Sequence, residues 1–260
     1  SSSSAASDVY KRQLIQFTFM RKIFFIFSAL FLIQCTDKKI DDKTMIVKGE
    51  VEGLKKGTIY LQKFDNQWNP IKIDSIVANG NGKFEFKINL QSPEIFALQL
   101  DKKDSEKSEQ ILFFGEAKEI NIHTINEKFS LNAQILGSET QKQFEEYNLG
   151  LRRFIIRNTE IIAKQFSATK DNNLAIIDSL SNLAQKNEYR KHLFSVNFAL
   201  NYKNSYLAPY IALTEIEFIN PKYIDSIYKS LSPEVSSSKY GKMLEEHIKK
   251  TCLLYTSPSP

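Results

Sequence analysis

The period of the hydrophobic pattern changes once along this chain, at Gly137, and that change limits its fold more than any other feature. Before it, short runs alternate apolar and polar side chains, which suits strands with one buried face. The runs are Met45 to Val51, Thr58 to Lys63, Ile71 to Val77, Lys83 to Leu90, Ile95 to Leu100, Gln110 to Phe114, Glu119 to His123 and Phe129 to Ile135. The clearest places Phe84, Phe86, Ile88 and Leu90 on one face and Lys83, Glu85, Lys87 and Asn89 on the other. It follows Asn79-Gly80-Asn81-Gly82, which predicts an antiparallel strand entered through a tight hairpin turn. Strands at this spacing with no helical pattern between them favour a sandwich or a partly open barrel.

After Gly137 the period becomes helical. Ser138-Glu139-Thr140-Gln141 has the form of a capping box, in which the Ser hydroxyl and the Gln amide each satisfy a free backbone donor. Phe144, Tyr147, Leu151, Phe154, Ile155, Ile161 and Ile162 then recur at three- and four-residue intervals and predict one apolar stripe. A second helix is expected from about Asp171 to Leu200 and a third around Leu207 to Phe218. Two more begin at Asn220-Pro221 and Ser232-Pro233, where a capping side chain precedes a Pro at the first helical position. The expected fold class is therefore α+β: an antiparallel β-sandwich-like N-terminal domain over 44–136, followed by a helical region over 137–251.

The ends read differently. Ser1 to Gln13 and Cys252 to Pro260 resemble translated adapter sequence, and Leu14 to Phe19 reads as translated upstream sequence, so 1–19 and 252–260 are set aside as non-native and the gene is expected to be cut near Thr251. From Met20 the order is that of an export signal: Arg21-Lys22, the apolar run Ile23 to Ile33, then Gln34-Cys35. That run covers only ~16 Å as a helix, well short of the ~30 Å of hydrocarbon that a permanent span must cross. Leu32-Ile33-Gln34-Cys35 resembles a bacterial lipobox, although Gln34 stands where a small residue is usual. The expectation is a signal peptide over 20–35, a lipid on Cys35, a polar tether over 36–43, and a location in the cell envelope on the periplasm-facing outer membrane. Two acyl chains at ~0.8 kcal/mol per buried methylene would make such an anchor stable.

Charge and cysteines exclude several function classes. Removing Lys11, Arg12, Arg21 and Lys22 from the 35 basic residues and Asp8 from the 30 acidic ones leaves a net charge of +2, which implies no nucleic-acid partner. With Cys35 lipidated and Cys252 in the tail, no disulfide framework or metal cluster can be built, and no cofactor is expected. His123, His192 and His247 fall in a strand and two different helices. The pairs Glu145-Glu146 and Glu245-Glu246 point apart on a helix and read as solvated faces rather than an acid and base. Trp68, in Asp65-Asn66-Gln67-Trp68-Asn69-Pro70, either stacks on a sugar ring or peptide or packs over the sheet edge; packing is the favoured reading. The aromatic side chains from Tyr189 to Phe218 suit a helix interface better than an open groove, and Asp101 to Lys107 reads as a solvated loop.

Several stretches together resemble the domain of unknown function that begins many Gram-negative envelope lipoproteins ending in a thioredoxin-like domain of the TlpA/ResA type. They are Lys48-Gly49-Glu50-Val51-Glu52-Gly53-Leu54, Thr58-Ile59-Tyr60-Leu61, Ile73-Asp74-Ser75 and Gly82-Lys83-Phe84-Glu85-Phe86, then Gly137-Ser138-Glu139-Thr140 and Asn204-Ser205-Tyr206-Leu207-Ala208. The resemblance implies a redox Cys-x-x-Cys in a domain beyond the helical region, so no redox residue carries over to this chain. It implies a non-catalytic accessory module that presents a client protein or holds a dimer beside a thiol–disulfide oxidoreductase. A complete lipoprotein that binds a ligand or envelope partner through its β domain is the alternative, and a hydrolase with an unrecognised site is the third.

Overall fold

The computed structural model describes residues 43–101, 109–215 and 220–256, with side chains as far as residue 251. Eight strands come first: β1 (Thr44–Glu52), β2 (Lys56–Phe64), β3 (Pro70–Asn79), β4 (Lys83–Asn89), β5 (Glu94–Asp101), β6 (Glu109–Gly115), β7 (Glu119–Ile125) and β8 (Gln134–Leu136). They form two four-stranded sheets, ordered β4-β1-β7-β8 and β3-β2-β5-β6. Every pairing is antiparallel except β1 with β7, which run parallel with Ile46 opposite Glu119. Alternation explains the layering. Val47, Phe86, Ile120 and Ile122 of the first sheet and Ile59, Leu61, Leu98 and Phe113 of the second are buried in one core, and polar neighbours take the outer face of β4, while on β5 and β6 the outer face carries the apolar Ile95 and Phe114.

Two local expectations needed correction. Asn79-Gly80-Asn81-Gly82 does not make a hairpin, because β3 pairs with β2 while β4 pairs with β1. The turn is a corner that carries the chain from one sheet to the other, so the apolar face of β4 meets the opposing sheet. Gly82 is needed there: Val51 N donates to its carbonyl at 2.9 Å, and a Cβ would stand 2.0 Å from the Val51 carbonyl oxygen. The strand expected from Phe129 to Ile135 is mostly absent. Asn126–Lys128 makes a 3-10 turn, Phe129 turns its ring fully into the core, and Thr124 donates to the Phe129 carbonyl at 2.6 Å. Only Gln134–Leu136 pairs with β7. One apolar plug, rather than an alternating run, was what the sequence supplied.

The chain then becomes helical: α1 (Glu139–Lys170), α2 (Leu174–Asn201), α3 (Leu207–Thr214), α4 (Pro221–Ser230), α5 (Pro233–Ser236) and α6 (Lys239–Thr256). The expected caps at Asn220 and Ser232 are in place, accepting from the backbone N–H of Lys222 and Val235 with Pro221 and Pro233 in the first turn, and Asn173, which the sequence reading placed inside the helix, caps α2 by accepting from Ile176 N. The capping box at α1 is half formed. Ser138 Oγ accepts from Gln141 N at 2.9 Å, but the Gln141 amide turns away: its Oε1 accepts from Phe114 N at 2.8 Å and its Nε2 donates to Glu145. A buried strand-end N–H had no sheet partner, and Gln141 satisfies it in preference to the cap.

The apolar stripe expected on α1 also divides. Phe144, Tyr147 and Ile161 are buried, whereas Ile155 and Ile162 are more than half exposed, because α1 pairs with α2 along one narrow seam beyond the sheet. Nearer the sheet, Ile95 and Phe114 point outward from β5 and β6 into a second core with Tyr147, Ala199, Ile211 and Tyr240. Phe114 meets Phe144, Tyr210 and Tyr240 edge-on at centroid distances of 6.4, 5.9 and 6.3 Å. Ile95 N donates to Tyr240 Oη at 3.0 Å, fastening α6 to β5.

Candidate functional site

Where the loops at one end of the sandwich meet the helices, they leave a cleft of about 770 Å³. Its sandwich wall is Lys43, the β4–β5 connection from Leu90 to Pro93 and the β6–β7 turn from Glu116 to Lys118; its helical wall comes from the first turns of α1, the α2–α3 connection and α5. The position of each wall follows from local chemistry. Leu90 N donates to the Lys43 carbonyl at 2.8 Å, which closes the entry to β1 onto the end of β4. Gly137 adopts φ +109°, and a Cβ there would stand 2.0 Å from the Glu119 carbonyl oxygen, so only glycine lets α1 start this close to β7.

Glu116 lies at the root of the cleft, 8 % exposed. Burial on its own would raise its carboxyl pKa; the hydroxyl and backbone N–H of Thr140, with Lys118 and Ser138, outweigh that and hold it below the ordinary 4.5. Oε1 accepts from Thr140 N at 2.8 Å in the first turn of α1, and Lys118 Nζ stands 3.5 Å from Oε2. A carboxylate at that position also complements the positive end of the helix. Opposite it, Ser205 Oγ donates to Gln143 Oε1 and accepts from Leu207 N at 3.2 Å, tying the α2–α3 connection to α1. Tyr206 Oη donates to Glu234 Oε1 at 2.6 Å, and burial together with that carboxylate pushes the phenol up to about 12. Tyr202 Oη donates to Glu146 at 2.6 Å. Below the α5 wall, Lys239 N donates to Ser92 Oγ at 3.1 Å while Lys239 Nζ reaches the Phe64 carbonyl and Glu94.

This arrangement brings together two stretches read from the sequence as marks of one family. Glu139 and Thr140 of Gly137-Ser138-Glu139-Thr140 line one side; Asn204, Ser205 and Tyr206 of the second stretch line another. Sequence reasoning did not find Glu116, Gln143 or Glu234. Glu116-Ala117-Lys118, an acid and a base in a two-strand turn, was the only available signal, and it looks like any solvated turn.

The other candidates are dispersed. Cys35, the segment Met20 to Gln34 and residues 102–108 lie outside the described residues, as does the Cys252 side chain. His123 is exposed on β7, His247 Nε2 stands 3.2 Å from Thr251 Oγ1, and His192 Nδ1 stands 2.6 Å from Glu215 Oε2 inside the helical layer. Among the described residues no group of three or more His, Cys, Asp or Glu is placed to hold a metal ion. Glu145 and Glu146 serve different partners, Gln141 and Tyr202, and Glu245 pairs with Lys249 at 2.6 Å. Trp68 is half-buried, stacked on Tyr240 and edge-on to Tyr210, each at 5.7 Å, so it packs over the sheet as an extension of the second core. Its backbone adopts φ 64°, held by Asp65, whose Oδ1 accepts from the N–H groups of Gln67 and Asn69.

Residues 45–144 match the family described as Domain of unknown function (DUF4369). The match runs from the second residue of β1 through the whole sandwich into α1, ending at Phe144. Two solved structures share a partial likeness. Sea bream transthyretin in complex with thyroxine aligns with 36% of this chain and 96% of its own at 12% identity and a TM-score of 0.30. Transthyretin from Sparus aurata aligns with 36% of this chain and 97% of its own at the same identity and score. Likeness at that level carries no statement about a ligand here. No curated protein matches the chain.

Proposed function

We propose that this chain is the non-catalytic module of an envelope lipoprotein, exported through Met20 to Gln34, acylated on Cys35, and joined in the complete protein to a thioredoxin-like thiol–disulfide oxidoreductase domain. The observation that supports it most is the DUF4369 match over 45–144, in the place where the sequence resembles the opening domain of such lipoproteins. In that arrangement the sandwich and its helices position a client or a second subunit, and disulfide exchange is left to a domain with its own thiolate pair. Cys35→Ser should move the protein from the membrane fraction to the soluble one and abolish incorporation of labelled fatty acid. If parent and variant fractionate alike and neither takes label, the anchor is wrong. Long-read sequencing of the locus tests the second half: an in-frame stop soon after Lys250 with no Cys-x-x-Cys removes the oxidoreductase. The cleft between sandwich and helices favours one other reading, a lipoprotein whose business is to bind a ligand there.

A further inference from the structure

The ligand chemistry of that cleft can be read from which of its polar groups are already engaged. Small-molecule sites run from roughly 300 to 1,000 Å³ and are mostly apolar. This one has the size, about 770 Å³, but few apolar side chains on its walls. Its carboxylates are spoken for: Glu116 by Thr140 and Lys118, Glu139 by Lys142 at 3.1 Å, Glu234 by Tyr206. A strongly charged ligand would have to break those pairs. The side-chain amides of Gln91, Asn201 and Asn204 face the same space, are exposed, and make no hydrogen bond with the described residues. Each amide offers a donor and an acceptor together, the combination that a hydroxyl group also presents. Tyr202 and Tyr206 add half-buried ring faces beside these amides, with their hydroxyls tied off to Glu146 and Glu234. Lys43, exposed at the mouth, is the remaining lining charge.

We propose that this cleft binds a neutral polyhydroxylated ligand, a carbohydrate chain of a few sugar units, with the Gln91, Asn201 and Asn204 amides pairing with its hydroxyls and Tyr206 stacking on a ring face. An extended peptide is the poorer fit. Peptides are usually held by an open strand edge or by pockets for apolar side chains, and this cleft is walled by loops and helix ends with neither. The proposal does not depend on the lipid anchor or on any further domain, since residues 43–238 build every wall.

The test is saturation-transfer NMR and calorimetry on the full chain with chitotetraose and with maltotetraose, up to about 10 mM. At least one sugar is expected to bind. The double variant Gln91→Leu with Asn204→Leu, both exposed positions, should keep its fold by circular dichroism and bind that sugar about tenfold more weakly. Tyr206→Leu should have a similar effect, while Tyr206→Phe, which keeps the ring, should bind within about threefold of the parent. Binding of neither sugar overturns the proposal, and so does binding indifferent to the amide variant. Tighter binding at the same cleft by a neutral serine- and asparagine-rich hexapeptide overturns it in favour of a peptide groove. None of these results depends on Cys35 acylation or on the length of the gene.

Discussion

Between its two sheets the protein closes a core of aliphatic chains and phenylalanines, whereas over the outer face of the second sheet it closes one in which tyrosines join the aliphatic and phenylalanine side chains. The first contains no phenol, and the buried Thr124 hydroxyl stays local in its bond to the Phe129 carbonyl, so alternation and volume do most to specify it. In the second, the two most deeply buried phenols are each partnered: Tyr240 Oη accepts from Ile95 N, and Tyr147 Oη pairs with Ser195 Oγ at 2.9 Å. Burial pushes both phenols up, so they stay protonated at any pH the protein meets. The contrast teaches that one core fixes the layers and the other fixes direction, because a hydrogen bond holds a helix at one angle where dispersion contacts permit several.

Substitutions that separate volume from hydrogen bonding test this contrast. Phe113→Ala removes a fully buried ring stacked on Phe96 at 5.8 Å and should cost about 3–5 kcal/mol by chemical denaturation. A loss below about 1 kcal/mol would mean the sheets are not packed as described. Tyr240→Phe keeps nearly all the volume but strands the Ile95 N–H in a buried site, and about 1–3 kcal/mol is expected. Neutrality here would remove the directional role given to the second core. The smallest effect concerns the junction between the two. Because the Glu116 pKa is depressed in the folded protein, its contribution is present above the unfolded value near 4.5 and is lost as pH falls through the lower folded value. Melting temperatures measured from pH 6 down to about 3 should therefore fall less steeply for Glu116→Gln than for the parent. Parallel curves for the two proteins would show that the carboxylate is not held by Thr140.

Much of the sandwich was legible because strand alternation is a local property. Phe84 and Phe86 announce an inner face whatever β4 pairs with. Which sheet β4 joins was not legible, since Asn79-Gly80-Asn81-Gly82 suits a hairpin and a corner equally. The helix starts were readable at Asn220-Pro221 and Ser232-Pro233 for the same local reason, while the destination of the Gln141 side chain depended on a strand 27 residues earlier needing an acceptor. The cleft was the least legible part. Its walls come from six separated segments, and none carries a spacing that marks it before the chain has folded. Ile155 and Ile162 show the converse case, in which a helical period is present but no partner among the described residues covers it.

The parallel pairing of β1 with β7 has a consequence in time. Ile46 finds its neighbour Glu119 only after the five intervening strands have been made, and the Tyr240 bond to Ile95 spans 145 residues. Contacts this distant incur loop-closure entropy before they return any stability, so folding through them is slow. The first sheet has no complete central strand pair until the chain through Ile125 is available, and the second core waits longer, for α6. For the export proposed above such a delay is an advantage: the earliest residues cannot lock into their final sheet while the rest is still emerging.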